Sequence, residues 1–368
     1  MIWALILAAC PHEERGHGLV AVKSAAAIPD QVETPGLNPL PGWRSGFSAT
    51  SEMKSQPSEV WSFTLDGPIT EPIIGESGQF FATADGRVYA FSTAGQRQWE
   101  LKLAATGSPA LALDSVVVAG YEGRVRWLDR ATGRDKTVTT EGGTTMGSVV
   151  PIDGGYAWIS EDGVISTSAG WEVKTALRPS ARPAADGSTL YVVGGDGRLI
   201  AAGAKGILWE SSIPGTPVDG PVLDAENVYV AFAASGKEPG GVVAIRRNEG
   251  AGTVAWTFRS EFQPLACPAV GDAVYLPDKD GTLYALSLDA GTVLWRNEAY
   301  GAFTTQPLIV GKSLYVGNAD GNVYRIDTFD GGTAWTADLG APVTGQPAIV
   351  GNVLAVGLAN GRIVGLRP

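Results

Sequence analysis

The 368-residue chain carries 38 Asp and Glu against 27 Lys and Arg, a formal net charge of −11. That balance argues against nucleic acid as a partner, because binding phosphate needs a basic face. The 49 Gly and 23 Pro describe a chain made of turns, and its apolar runs are strand-length, with no long amphipathic helix among them.

In chain order, residues 1–9 come first: an apolar signal-type run (Ile2, Trp3, Ala4, Leu5, Ile6, Leu7, Ala8, Ala9), too short to cross a bilayer. Leu7-Ala8-Ala9-Cys10 resembles the lipobox of bacterial lipoproteins. The resemblance implies cleavage before Cys10 and lipid attachment to it. Pro11 rather than Asp follows the Cys, which implies the outer membrane. The run departs from the pattern in lacking a preceding Lys or Arg, so a truncated signal and a true start elsewhere both stay open. Residues 10–57 are rich in Ala, Pro, Ser, Gly and Glu and read as a flexible tether. His12 and His17 lie in it with nothing to hold them as metal ligands. Residues 41–46, around Trp43, read as an entry segment ahead of the first strand. Cys10 and Cys267 sit in different contexts and are not expected to pair. Cys267 reads as a small buried residue.

From residue 58 onward one unit repeats. Asp85-Gly86, Glu122-Gly123, Asp162-Gly163, Asp196-Gly197, Gly240-Gly241, Asp280-Gly281, Asp320-Gly321 and Asn360-Gly361 succeed one another at steps of 37, 40, 34, 44, 40, 40 and 40 residues. A period near 40 with short apolar runs around each turn predicts a β-propeller, one four-stranded blade per repeat. A strand-opening Pro precedes most turns by 13 positions, as in Pro72, Pro109, Pro183, Pro307 and Pro347. The Asp-Gly pairs predict two-residue hairpins of type I′, in which both central residues take positive φ.

Two copies are degenerate. The second has Thr137 where the others place Trp, and the third replaces the opening Pro near Val149. The fifth is swollen in its hairpin (residues 234–241) and in its next turn (246–250). Insertions in repeats map to loops on one face, often the binding face, so Lys237, Glu238, Arg246 and Arg247 are the candidate partner-contact residues. Neutral loop drift is the plain alternative.

One Trp per repeat, at Trp61, Trp99, Trp171, Trp209, Trp256, Trp295 and Trp335, is expected to pack between neighbouring blades. Equal spacing around a ring disfavours a single stacking platform. Trp61 stands in a strand that precedes any first strand, and the last repeat has only three. The N-terminal strand is therefore expected to complete the eighth blade and close the ring over residues 58–368.

The blade formula, plainest in residues 283–286 and 314–321, resembles the PQQ-like repeat. That class holds quinoprotein dehydrogenases, which bind pyrroloquinoline quinone and calcium, and non-enzymatic scaffolds such as the outer-membrane assembly lipoprotein BamB. The chain has no vicinal Cys pair, and its acidic residues fall in turns. Asp278-Lys-Asp280 is a hairpin by position rather than a calcium loop. The resemblance favours the BamB side: a non-catalytic envelope scaffold, monomeric and periplasm-facing, with protein partners in outer-membrane assembly and no cofactor, metal or catalytic residue. A ligand-binding or sensory propeller of another envelope system is the alternative, and a quinoprotein the lesser one.

Overall fold

The computed structural model describes residues 20–21, 47–48, 52–111, 114–121, 123–140, 144–234, 238–248 and 251–368. Over these residues the chain is all-β, with eight antiparallel four-stranded blades succeeding one another in sequence. Blades 1 to 4 span 74–102, 110–140, 150–174 and 184–212, and blades 5 to 7 span 216–259, 269–298 and 308–338. Blade 8 has inner strands Val343–Val350, Val353–Leu358 and Arg362–Arg367. Its outer strand is Ser58–Thr64, antiparallel to Arg362–Arg367 with Trp61 opposite Gly365. The ring closes through the N-terminal strand, as the sequence predicts.

Burial varies with strand position. The second and third strands of blade 6, Val274–Pro277 and Thr282–Leu286, are buried throughout because neighbouring blades cover both faces. Its outer strand Val293–Glu298 alternates, with Trp295 pointing inward. No blade can bury its faces alone. The core is a series of interblade clusters, such as the one joining Tyr315 and Trp335 of blade 7 to Val356 and Leu366 of blade 8.

The hairpin chemistry differs from expectation. Of the predicted turn pairs that lie wholly among the described residues, only Asp85-Gly86 has both residues at positive φ, as a two-residue type I′ turn requires. In blade 6 the Asp278 amide bonds the Thr282 carbonyl and Gly281 alone is left-handed, giving a three-residue loop. The same pattern recurs at Asn318, Gly194 and Ser160. The extra residue lets one Gly make the reversal, so the preceding Asp keeps ordinary φ.

Six interfaces share a closing device. The outer-strand Trp of one blade lies against the next blade, and in four of the six it donates its indole N–H to a backbone carbonyl of a turn there: Trp61 to Thr93 (3.2 Å), Trp99 to Arg130 (2.8 Å), Trp256 to Leu288 (2.8 Å) and Trp295 to Thr328 (2.9 Å). Each ring lies against a glycine of that turn, and Trp209 packs likewise on Gly252. A Cβ on Gly331 would sit 2.5 Å from Trp295, and its φ of +75° already favours glycine. Blade 8 has no such turn, because its outer strand comes from the N-terminus. Met53 fills the role: its carbonyl accepts from Trp335 (2.9 Å) and its amide donates to the Tyr315 hydroxyl (2.8 Å). Glu52 anchors this stretch on the Lys312 amide and on Arg325. Glu52 and Met53 thus contact the ring ahead of strand Ser58–Thr64. Within the expected tether, Val20–Ala21 pairs with the outer strand of blade 6 and Phe47–Ser48 with the inner strand of blade 8.

Blade 3 lacks the device on both sides. Trp171 is half-buried beside Val173 and Leu190 and is not seated on Gly206, which has nothing within 4 Å of its Cβ position.

Candidate functional site

The strand order puts the hairpins between second and third strands, and the links between blades, on one face of the ring. The remaining turns lie on the other. On the hairpin face, several residues just before the first strands bond across to neighbouring links. Ser108 and Ser148 share a hydrogen bond (2.9 Å), Gln306 donates to the Pro268 carbonyl (2.7 Å), and the Cys267 thiol donates to the Gly220 carbonyl (3.2 Å). Arg182 of the link into blade 4 bonds Asp219 (2.5 Å) and reaches Glu71 of the link into blade 1 (4.0 Å). Blades 1 and 4 are not neighbours, so this cluster crosses the axis.

The charges at the mouth answer one another. Burial works against the Arg182 charge, but its carboxylate neighbours, Asp219 first, more than offset it, and the guanidinium stays charged. Burial raises the Glu71 carboxyl against the pull of Arg182, although a third of its side chain is open to solvent. Burial also holds the Cys267 thiol protonated and inert. A calcium-bound quinone needs carboxylate and amide oxygens turned on the cation. Here a guanidinium already stands between the two carboxylates, so the donor set does not fit that group. Among the described residues no three His, Cys, Asp or Glu side chains gather as a metal site.

Asp278 is a hairpin residue, fully buried. Its Oδ1 accepts from the Asp280 and Thr282 amides (2.9 Å each), and its Oδ2 has no protein partner. Burial pushes the carboxyl up to about 7, against those two amide bonds. Blade 7 has Asn318 in the same place, whose Nδ2 donates to the Tyr300 carbonyl (2.5 Å).

The structure separates the candidate contact loops. Of their described residues, Glu238 and Arg246 stand at opposite ends of strand Gly241–Arg246, hence on opposite faces. Lys237 falls outside the described residues, as do Cys10, His12, His17 and Trp43. Glu238 is exposed, 3.6 Å from Arg259, and Arg246 is exposed. Arg247 is only 7% exposed: it pairs with Asp186 of blade 4 and lies over the Tyr191 ring, 5.4 Å from its centroid. It joins two blades rather than offering a free charge.

Sequence reasoning passes over the outer rim. Ile207 and Leu208 of blade 4, Val254 of blade 5 and Leu294 of blade 6 are exposed on consecutive outer strands. They stand one or two residues before each Trp, a column visible in the repeat once outer strands are known to be edges.

The sequence model of the family described as outer membrane protein assembly factor BamB matches residues 51–156, 148–266 and 238–368. No functionally curated protein matches the chain. Among solved structures, BamB from Moraxella catarrhalis is 20% identical with a TM-score of 0.66, over 85% of this chain and 100% of that one. The computationally designed Ika8 protein is 15% identical with a TM-score of 0.71, over 84% and 99%. Quinohemoprotein alcohol dehydrogenase from Comamonas testosteroni is 14% identical with a TM-score of 0.66, over 88% and 78%. These likenesses are of fold.

Proposed function

The chain belongs to the family described as outer membrane protein assembly factor BamB, and from that premise we propose that it is a non-catalytic scaffold of the bacterial envelope. It holds protein partners of outer-membrane assembly. In this reading Cys10 carries a lipid and the ring faces the periplasm, anchored at the outer membrane.

The supporting observation is the rim of blades 4 to 6. The outer strands of blades 4 and 5, Gly206–Ser212 and Val254–Arg259, each have one edge without a neighbour in their own sheet, and apolar side chains stand there at Ile207, Leu208 and Val254, with Leu294 on the outer strand of blade 6. An open edge of that kind is a template for an added strand. The chain uses it so itself: Val20–Ala21 pairs antiparallel with Trp295–Arg296 on the edge of blade 6. The partner is thus an extended segment with alternating apolar residues, as an unfinished barrel strand presents. The mouth of the ring, with Arg182 set between Glu71 and Asp219, fits this role better than a quinoprotein's.

A photo-crosslinker placed at Leu208 or Val254 in intact envelopes tests it. Capture of an outer-membrane barrel protein or its assembly machinery is expected, with little from Gln98 on the outer strand of blade 1. Capture of soluble proteins alone, or equal capture from all three positions, would count against it.

A further inference from the structure

Blade 2 breaks the repeat at the position that closes the ring elsewhere. In four blades the outer-strand Trp stands opposite an Ala on the third strand, as Trp99 does opposite Ala90, Trp209 opposite Ala201, Trp256 opposite Ala244 and Trp295 opposite Ala285. In blade 2 the pair is transposed: Trp127 is on the third strand and Thr137 on the outer one. The next blade still offers the glycine seat. Gly170 keeps its φ of +86°, yet nothing lies within 4 Å of its Cβ position, where other seats hold an indole.

The transposition leaves a cleft of about 390 Å³ between blades 2 and 3, lined by Ser115, Trp127, Lys136, Gly155, Tyr156 and Ser168. It is an open groove rather than an enclosed cavity, with a volume in the roughly 300–1,000 Å³ range of small-molecule sites. Trp127 and Tyr156 meet edge to face, centroids 6.1 Å apart at 79°, and form an apolar corner. Polar groups surround it. The Trp127 indole N–H has no acceptor among the described residues, whereas five seated Trp each donate to a backbone carbonyl. Ser168 Oγ accepts from the Tyr156 amide (2.8 Å) and keeps its own proton to give. Asp114, which holds Ser115 and Lys136, is 79% exposed and has lone pairs to spare.

Charge narrows the ligand. Lys136 stands 2.7 Å from Asp114 and 3.5 Å from Asp129, so its ammonium is already answered and a phosphate or carboxylate ligand would meet two carboxylates. A purely apolar side chain would leave the indole N–H and the Ser168 hydroxyl without partners. A ring with an apolar C–H face and a rim of hydroxyls satisfies both. We propose that the cleft between blades 2 and 3 binds a neutral pyranose ring of a saccharide. This site is separate from the rim of blades 4 to 6 and does not depend on the scaffold reading.

Saturation-transfer NMR and calorimetry on the full chain test it, with maltotetraose and tri-N-acetylchitotriose as neutral probes and a glucuronic acid oligomer as the charged one. Saturable transfer to at least one neutral probe is expected, with weaker binding of the charged oligomer. The two neutral probes distinguish a glucan from an N-acetylated glycan as the source. Trp127→Phe should weaken binding at least about tenfold. The double change Trp127→Ala with Thr137→Trp returns an indole to the outer strand over Gly170. It should raise Tm while abolishing binding, which separates a lost site from a lost fold. No transfer to either neutral probe, unchanged binding in the double variant, or tighter binding of the charged oligomer would each overturn the proposal.

Discussion

The interfaces from blade 4 around through blade 8 to blade 2 are closed by an indole against the next blade, whereas the two interfaces of blade 3 are not. On the closed side a Trp ring packs on a glycine (or, at the seam, on Met53) at each step, and all of these Trp but Trp209 also donate to a backbone carbonyl. Between blades 2 and 3 the bonds at the mouth are between hydroxyls and carbonyls instead: Thr145 to the Gly120 carbonyl (2.8 Å), Thr106 to the Gly147 carbonyl (3.2 Å) and Ser108 with Ser148. Buried aromatic area stabilises far more than such exchanges of hydrogen bonds, each worth about 1 kcal/mol. A propeller can therefore leave the interfaces of one blade without the device, and one of them free for another use, provided the rest of the ring is tightly closed.

The largest expected break in this contrast is Trp295→Ala. It removes a side chain only 4% exposed and should cost about 3–5 kcal/mol in denaturant unfolding, with Trp127→Ala costing less than half of that. Gly331→Ala comes next. Its Cβ would strike Trp295 in addition to the left-handed backbone cost, for about 2–4 kcal/mol. Gly170→Ala has the same backbone cost and open space, so about 1 kcal/mol is expected. Equal losses at the two glycines would erase the distinction between filled and empty seats.

Within the closed side, Asp278 and Asn318 sharpen the comparison of two nearly identical blades. The Asp278 carboxyl is raised from 3.8 to about 7 in the folded chain. The folded state thus keeps a proton that the unfolded chain has released, and this contribution to stability falls as pH rises from about 4 to about 7. Asp278→Asn, which copies blade 7, should gain about 2–4 kcal/mol over the parent at pH 8 and nearly nothing at pH 4. The smallest effect is expected at the seam. Glu52→Gln weakens one bond to Arg325 and should cost about 1 kcal/mol by thermal unfolding.

Much of this architecture is legible in the chain itself. The turn period gives eight blades, and the orphan strand at Trp61 gives the closure, because both are local signals repeated at a fixed step. Hairpin type is not legible: Asp-Gly suits a two-residue turn and the end of a three-residue one equally, and pairing register decides between them. The swollen loops of blade 5 stand out as insertions, but only the strand between them tells that they face opposite ways. Arg247 looks like a free charge in the sequence because Asp186, its partner, lies 61 residues away. The cleft beside Trp127 hides behind an apparent loss of a Trp, since the indole has moved to the neighbouring strand.

Hydrogen exchange across the outer strands tests the central contrast most directly, because amide protection reports the local opening free energy of each edge. Amides in Asp135–Thr140 and Glu172–Lys174 should exchange at least about tenfold faster than those in Val293–Glu298 and Thr333–Asp338. Equal protection around the ring, or faster exchange in the strands that carry Trp295 and Trp335, would contradict it.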